Sequence, residues 1–191
     1  MLFAKRLKAG YTLVEVLVVV SILGILSAMG VAGLQRAVAN ARVKDAAVNT
    51  AAFVERVANL SSQRNEVLCL RIKPGEPQRI IAVVDGGEKD CTTPGEGVVD
   101  EMTIDAPNQF VAKSSGCPVM QDWFGQTAKV AFKPRIGLAA TPPKGGICIQ
   151  YGNMDIYGAV RKETNSNKVV PMWKVGNDAT QNNNWSNWTE L

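Results

Sequence analysis

The hydrophobic pattern of this 191-residue chain changes twice, and each change marks a different kind of element. Residues 13–34 are apolar almost without interruption, since thirteen of these 22 positions are Leu, Ile or Val and Glu15 is the one charged residue. A helix of that length spans ~33 Å, enough to cross a hydrocarbon core of ~30 Å. The pattern predicts a membrane-spanning helix.

The pattern becomes amphipathic from residue 35 to residue 63. Apolar residues at helical spacing predict one buried face. They are Val43, Ala46, Ala47, Ala51, Val54, Val57 and Ala58. Polar residues fall on the opposite face, namely Arg42, Asp45, Asn49, Arg56 and Gln63. Because no proline precedes Pro74, we predict one continuous helix from about Thr12 to Ser62, with its second half against a globular head.

Short apolar and β-branched runs, separated by Gly, Pro, Asp and Asn, follow from residue 66 onwards and predict strands. The predicted strands are Val67–Ile72, Arg79–Val84, Val98–Ile104, Lys129–Phe132, Ile147–Tyr151, Asp155–Val160 and Lys168–Trp173. Gly145-Gly146 is predicted to form a turn. The fold class is therefore α+β, with a long N-terminal helix packed on a C-terminal antiparallel β-sheet head.

These elements predict four segments. They are a basic leader over residues 1–10, a transmembrane helix over 11–34, its amphipathic continuation over 35–64, and a β-rich head over 65–191.

The formal net charge of +4 is concentrated at the N-terminus. Lys5, Arg6 and Lys8 supply three positive charges, which leaves 18 Lys and Arg (21 − 3) against 17 Asp and Glu in the rest. Because the rest is nearly neutral, its net charge does not indicate a polyanion-binding surface, and no nucleic-acid partner is expected.

The chain contains no histidine, so it lacks the usual general base and the commonest metal ligand. We expect no catalytic residue, no metal and no cofactor, and do not predict an enzyme. The carboxylates of Asp100, Glu101 and Asp105 are interpreted as the polar outer face of a strand rather than as an acid/base pair.

Four cysteines, Cys69, Cys91, Cys117 and Cys148, all lie in the predicted head. Their wide spacing contains no Cys-x-x-Cys pair, which argues against zinc and thioredoxin-like sites. An even number behind an export signal is typical of disulfides in an oxidising compartment. We predict two disulfides, and the spacing leaves all three pairings open.

A short basic stretch before an apolar run is typical of an export signal whose positive flank stays in the cytoplasm. An ordinary cleaved signal peptide has no need of Glu15, since an acidic side chain costs on the order of 2–3 kcal/mol at the centre of a membrane helix and less near its edge. The surrounding aliphatic residues outweigh that cost, so the segment inserts, and its carboxylate indicates a partner. The alternative is a signal-anchor helix with an incidental glutamate.

The segment Gly10-Tyr11-Thr12-Leu13-Val14-Glu15, between a basic leader and a long apolar helix, resembles the signal of type IV prepilins and pseudopilins. The family pattern is Gly, an aromatic residue that is usually Phe, then Thr, Leu, an aliphatic residue and Glu. Tyr11 is a departure at the aromatic place, and the other five positions match.

The resemblance implies that a prepilin peptidase cleaves after Gly10 and that Tyr11 becomes an N-methylated N-terminus. It implies that Glu15 pairs with the N-terminal amine of a neighbouring subunit. The implied partners are other pilin or pseudopilin subunits, the peptidase, the inner-membrane assembly platform and membrane lipid. The implied location is single-pass in the inner membrane, with a cytoplasmic N-terminus, a periplasmic or extracellular head, and a filament after assembly.

The head resembles H-class pseudopilins and FimT-like minor pilins more loosely, through Val67-Leu68-Cys69, Cys91 and residues 130–137. Many pilins carry a proline where this chain has Ala32, so the resemblance favours a minor subunit over an abundant one. A type IV pilus, a type II secretion pseudopilus and a competence filament all remain open, as does a DNA-uptake receptor.

Trp185 and Trp188 lie in an Asn-rich tail. They are candidates for a carbohydrate-adhesive surface at a filament tip. The alternative is that they dock onto the head or belong to a mobile terminus.

Overall fold

The computed structural model describes residues 11–87, 91, 94–111, 123, 130–135, 145–163, 168–176 and 188–191. The chain divides into two compact units, residues 1–38 and residues 39–191. One helix, α1, runs through residues of both, and all described strands belong to the second unit.

Helix α1 (Leu13–Arg64) ends two residues beyond the predicted end at Ser62. Asn65 adopts a left-handed conformation with φ of 55°, and the amide of Glu66 donates to the carbonyl oxygen of Ser61 at 3.3 Å. This arrangement is a Schellman cap, and Asn is one of the few residues other than Gly that tolerates its left-handed position. The helix therefore stops at a local sequence feature.

The amphipathic half of α1 has the predicted faces. Each of the seven apolar residues predicted to be buried is at most 6% exposed, and the five polar residues predicted opposite them are exposed. The buried face also contains Thr50 and Ser61. The Thr50 hydroxyl donates to the Ala46 carbonyl at 2.6 Å, and Ser61 Oγ lies 2.7 Å from the carbonyl oxygen of Phe132. These bonds satisfy hydroxyls that would otherwise be buried at a cost.

The described strands form two antiparallel sheets where one was predicted. The first sheet has the order β3-β2-β1-β5 and contains β1 (Leu68–Lys73), β2 (Glu76–Asp85), β3 (Pro94–Thr103) and β5 (Ala131–Phe132). The second has the order β4-β6-β7-β8-β9 and contains β4 (Asn108–Val111), β6 (Gly145–Tyr151), β7 (Ile156–Lys162), β8 (Val169–Val175) and β9 (Thr189–Glu190).

The main core joins α1 to both sheets. It contains Val54 and Val57 from the helix, Leu68 and Ile80 from the first sheet, and Val160 from the second. Buried apolar area of this kind is the chief stabilising contribution in a domain of this size.

The opposite face of each sheet is also covered. Cys69, Ile81 and Val83 pack under Cys91 on the first sheet. On the second, Trp188 packs with residues of β6, β7 and β8, which are Cys148, Tyr157, Ala159 and Met172. Strand β7 is therefore buried on both faces, which explains why residues 156–160 carry no charged side chain.

Each of the seven predicted strands overlaps an observed strand, and β4 and β9 were not predicted. These two strands have four and two residues, and their pairing partners β6 and β8 come from elsewhere in the chain. The turn predicted at Gly145-Gly146 is wrong, because both residues open β6. A Cβ at position 146 would lie 2.3 Å from the Val160 carbonyl oxygen, so this glycine permits a close approach of β7.

Candidate functional site

Helix α1 begins with a capping box formed by Thr12 and Glu15. The amide of Glu15 donates to Thr12 Oγ1 at 3.2 Å, and Glu15 Oε2 accepts from the amide of Thr12 at 3.0 Å and from its hydroxyl at 3.1 Å. A capping box satisfies amide donors that the first turn of a helix leaves free. Thr-x-x-Glu is a sequence signature of this cap. An interpretation of Glu15 only as a charge within the membrane misses this role.

Tyr11 directly precedes this cap and is 86% exposed, while Gly10 lies outside the described residues. The capping carboxylate is therefore hydrogen-bonded to the residue that follows Tyr11. In a chain that begins at Tyr11, the terminal ammonium would be on the residue directly before Thr12, whose amide donates to the carboxylate of Glu15.

From residue 13 to residue 34, the surface of α1 is apolar on all sides except at Glu15, Ser21 and Ser27. Its large apolar side chains, from Leu13 to Leu34, are between 50% and 79% exposed. Water-soluble proteins rarely expose a contiguous apolar surface larger than a few hundred Å². This segment therefore requires lipid or other apolar helices around it.

The same helix is long and apolar enough to cross a membrane. An 18-residue window within it has a mean hydropathy of 2.5, and none of that window is buried. The hydroxyl of Ser21 donates to the carbonyl oxygen of Leu17 at 2.8 Å, so this polar group is satisfied within the helix, as a lipid environment demands. These properties are consistent with membrane anchoring.

Two of the candidate cysteines bond each other. The Cys69–Cys91 disulfide joins β1 to the segment after β2, with a Cα–Cα distance of 5.6 Å. Cys148 is also disulfide-bonded, and Cys117 lies outside the described residues. The amide of Cys91 donates to the carboxylate of Asp85 at 2.9 Å, which fixes the segment that carries the bridge.

Among the described residues, one group has the ligand types and proximity of a metal site, namely Cys69, Asp85 and Cys91. Both of its sulfurs are in the disulfide and neither is a thiolate. The thiolate is the form that binds metals, so this group is a bridge with a hydrogen-bonded carboxylate beside it.

The structure describes one of the two tail tryptophans. Trp185 lies outside the described residues, whereas Trp188 is 7% exposed and packs against the second sheet. The ammonium of Lys174 lies 5.3 Å from the Trp188 ring centroid and 5.7 Å from that of Tyr157. Burial, together with the carboxylate of Asp155, raises the pKa of the Tyr157 phenol. Trp188 is therefore part of the head core and presents no flat face to a ligand.

Comparison with known proteins points to the N-terminal segment. A family model described as the prokaryotic N-terminal methylation motif matches residues 5–31. This range includes Gly10, Tyr11, the capping box and most of the apolar helix. No curated protein and no solved structure matches the chain.

Proposed function

We propose that the chain is a type IV pilin-like protein processed at its leader and, more narrowly, a minor pilin or pseudopilin, a non-catalytic subunit of a type IV pilus or type II secretion pseudopilus. The match of residues 5–31 to the prokaryotic N-terminal methylation motif supports this proposal. In this proposal a prepilin peptidase cleaves after Gly10 and N-methylates Tyr11. Residues 11–34 then anchor the chain in the inner membrane, with the head on the outer side. The inner-membrane assembly platform then inserts the chain into a filament with other pilin subunits.

The observation that carries the proposal is the apolar first half of α1, exposed on every side, with one carboxylate at its first turn. An anchor needs the apolar surface, and an uncharged Gln would cap its helix as well as Glu does, so it has no need of a charge there. A subunit that leaves the membrane for a filament needs both, because neighbouring helices must cover the apolar surface and be held at one axial position.

The geometry of Glu15 supports pairing with a neighbour. Its Oε2 atom accepts both hydrogen bonds from Thr12, and among the described residues its Oε1 atom has no partner. A neighbour's ammonium can therefore bind Oε1 while the cap stays intact. Two opposite charges buried together each reduce the desolvation cost of the other. Loss of one partner of such a pair costs about 3–5 kcal/mol.

The head supports the same placement. Three described cysteines are disulfide-bonded, and disulfides persist in the periplasm and outside the cell. The burial of Trp188 leaves the carbohydrate-adhesive alternative without one of its two rings.

Substitution of Glu15 by Gln separates its two roles. Gln can still cap Thr12, because either Glu or Gln completes a capping box, but it carries no charge. We expect Glu15→Gln and Glu15→Ala to insert into the membrane normally and to be nearly absent from sheared filaments or from the assembled pseudopilus. The measurement is the ratio of filament to membrane protein in cells that produce the complete machine.

Two variants serve as controls. Thr12→Val weakens the cap by about 1 kcal/mol and keeps the charge, and Glu55→Gln removes an exposed acid from the same helix within the head. Both are expected to assemble. Normal assembly of Glu15→Gln would refute the pairing. Mass spectrometry of the mature protein tests processing, and an N-terminus other than methylated Tyr11 would overturn the proposal.

A further inference from the structure

The end of the head at which α1 enters it contains a small apolar cluster. Ala39 and Val43 of the helix pack there against Ile156, the first residue of β7, and Tyr151 is partly buried beside them. Ala39 is also the first residue of the second compact unit. This cluster and the residues next to it, here called the entry end, are therefore the part of the head that follows most directly from the apolar segment.

Two large apolar side chains are exposed at the entry end. Val175 lies opposite Ile156 in the pairing of β7 with β8 and is 59% exposed. Met154, in the turn that joins β6 to β7, is 42% exposed. The amide of Gly176 donates to the carbonyl oxygen of Asp155 at 2.7 Å. This hydrogen bond joins the residue after Val175 to the residue after Met154, so the two exposed side chains are carried by adjoining backbone segments.

An aromatic ring and a lysine lie beside them. Trp173 is two residues before Val175 on β8, so both side chains are on the same face of the sheet. Trp173 is partly buried, and the ammonium of Lys44 on α1 lies 3.8 Å from its ring centroid. Trp and Lys are favoured at the boundary between lipid and water, because each has an apolar body and a polar end.

The length of chain between the apolar segment and the entry end is short. Ala39 is five residues after Leu34, the last residue of the apolar run. At 1.5 Å per residue of helix, this is a rise of ~7.5 Å. The polar headgroup region on each side of the hydrocarbon core is about 5–8 Å thick. The entry end therefore reaches the headgroup region when residues 13–34 cross a membrane. This distance follows from chain length and does not depend on the angle between the two compact units.

We propose that the entry end binds the surface of the membrane that α1 crosses, with Met154 and Val175 inserted at the boundary of headgroups and acyl chains. Protein segments bound in this way bury their apolar side chains about 5–10 Å into that boundary. A lipid surface is the partner that the chain itself brings to the entry end, whereas another subunit reaches it only on assembly. The inference rests on the membrane anchoring in the proposed function.

The test is photo-cross-linking of the full chain reconstituted in vesicles of phosphatidylethanolamine and phosphatidylglycerol. A benzophenone-bearing amino acid replaces Met154 or Val175, one at a time, and mass spectrometry identifies the adducts. Both side chains are exposed, so the larger group fits without entering the core. We expect lipid adducts at both positions in roughly tenfold excess over exposed positions elsewhere in the head, because acyl chains are within reach only at the membrane boundary.

The matched controls are Val98 on β3 and Leu191 after β9, which are 52% and 43% exposed outside the entry end. Val20 in α1 is 62% exposed and reports the membrane anchoring itself. Lipid adducts at position 20 without adducts at 154 and 175 would overturn the inference and leave the proposed function intact.

Two other results would also overturn the inference. They are equal lipid adducts at all four head positions, and adducts at 154 and 175 with a second copy of the chain in place of lipid. Absence of lipid adducts at position 20 would refute the membrane anchoring, and with it both proposals.

Discussion

Gly158, in the middle of β7, shows how closely the helix approaches the second sheet. A Cβ at this position would lie 2.9 Å from Val43 Cγ1, 3.0 Å from the Val43 carbonyl oxygen and 3.3 Å from the Ala47 Cβ. The side-chain methyl of Val43 can move, but the helix backbone cannot move alone. The residue is glycine because the helix occupies the space that a side chain would need.

Gly158→Ala is therefore expected to destabilise the head by about 1–3 kcal/mol through overpacking. Gly97→Ala on β3 is the control, because nothing lies within 4 Å of its added Cβ. Urea unfolding monitored by tryptophan fluorescence measures both. Equal stability of the two variants would contradict the close contact.

Lys162, at the end of β7, is a buried lysine. It is 1% exposed, and its ammonium donates to the Glu163 carbonyl at 3.3 Å. Burial lowers the pKa of this side chain. Between that lowered pKa and the ordinary value of about 10.4, the unfolded chain binds more protons than the folded one, so stability rises with pH across this interval.

Lys162→Met keeps the length of the side chain and removes the buried charge. We expect the variant to be more stable than the unmodified protein at pH 7, on the order of 1 kcal/mol. The gap should narrow as pH rises towards 10, because the folded unmodified protein then loses the proton of its buried lysine while the unfolded chain still holds it. Urea midpoints of both proteins from pH 7 to pH 10 test this, and a gap independent of pH would contradict it.

At the scale of elements, one helix carries two different surfaces. Its first half exposes apolar side chains on all sides, and its second half buries one face against the strands. No proline and no cap interrupts it between Thr12 and Asn65. The amphipathic face was predicted residue by residue, because the period of 3.6 is a local property of a helix.

The Cys69–Cys91 disulfide joins β1 to the connection between β2 and β3 and closes a loop with a sequence separation of 22. The chain-entropy account gives about 3 kcal/mol for a loop of this length. We expect the Cys69→Ala/Cys91→Ala double variant to lose about 2–4 kcal/mol of stability in urea unfolding. Both cysteines are replaced together so that no free thiol remains to exchange with the disulfide of Cys148. An unchanged free energy of unfolding would contradict a stabilising role for the bridge and would mean that the pairing of β1 with β2 is sufficient without it.

At the scale of the whole molecule, the two compact units have different requirements. The unit of residues 1–38 has no core of its own among its described residues, and its helix needs lipid or other apolar helices around it. The unit of residues 39–191 has a core shared by a helix and two sheets. The methylation-motif match lies in the first unit, and the Cys69–Cys91 disulfide lies in the second.

Local patterns in the sequence were sufficient to predict the helix, its buried face, the N-terminal methylation segment and most strands. These predictions use apolar runs, helical spacing and the Gly-Tyr-Thr-Leu-Val-Glu segment. Each of these patterns is contained in residues close together in the chain, so its interpretation does not require knowledge of distant residues. The capping role of Glu15 was equally local, and the Thr-x-x-Glu spacing contains it.

Only the tertiary structure decided the division into two sheets, the strands β4 and β9, and the disulfide of Cys69 with Cys91. Each of these joins residues that are far apart in the chain. Side-chain periodicity shows which face of an element is buried, but the partner on that face is selected by how the whole core packs.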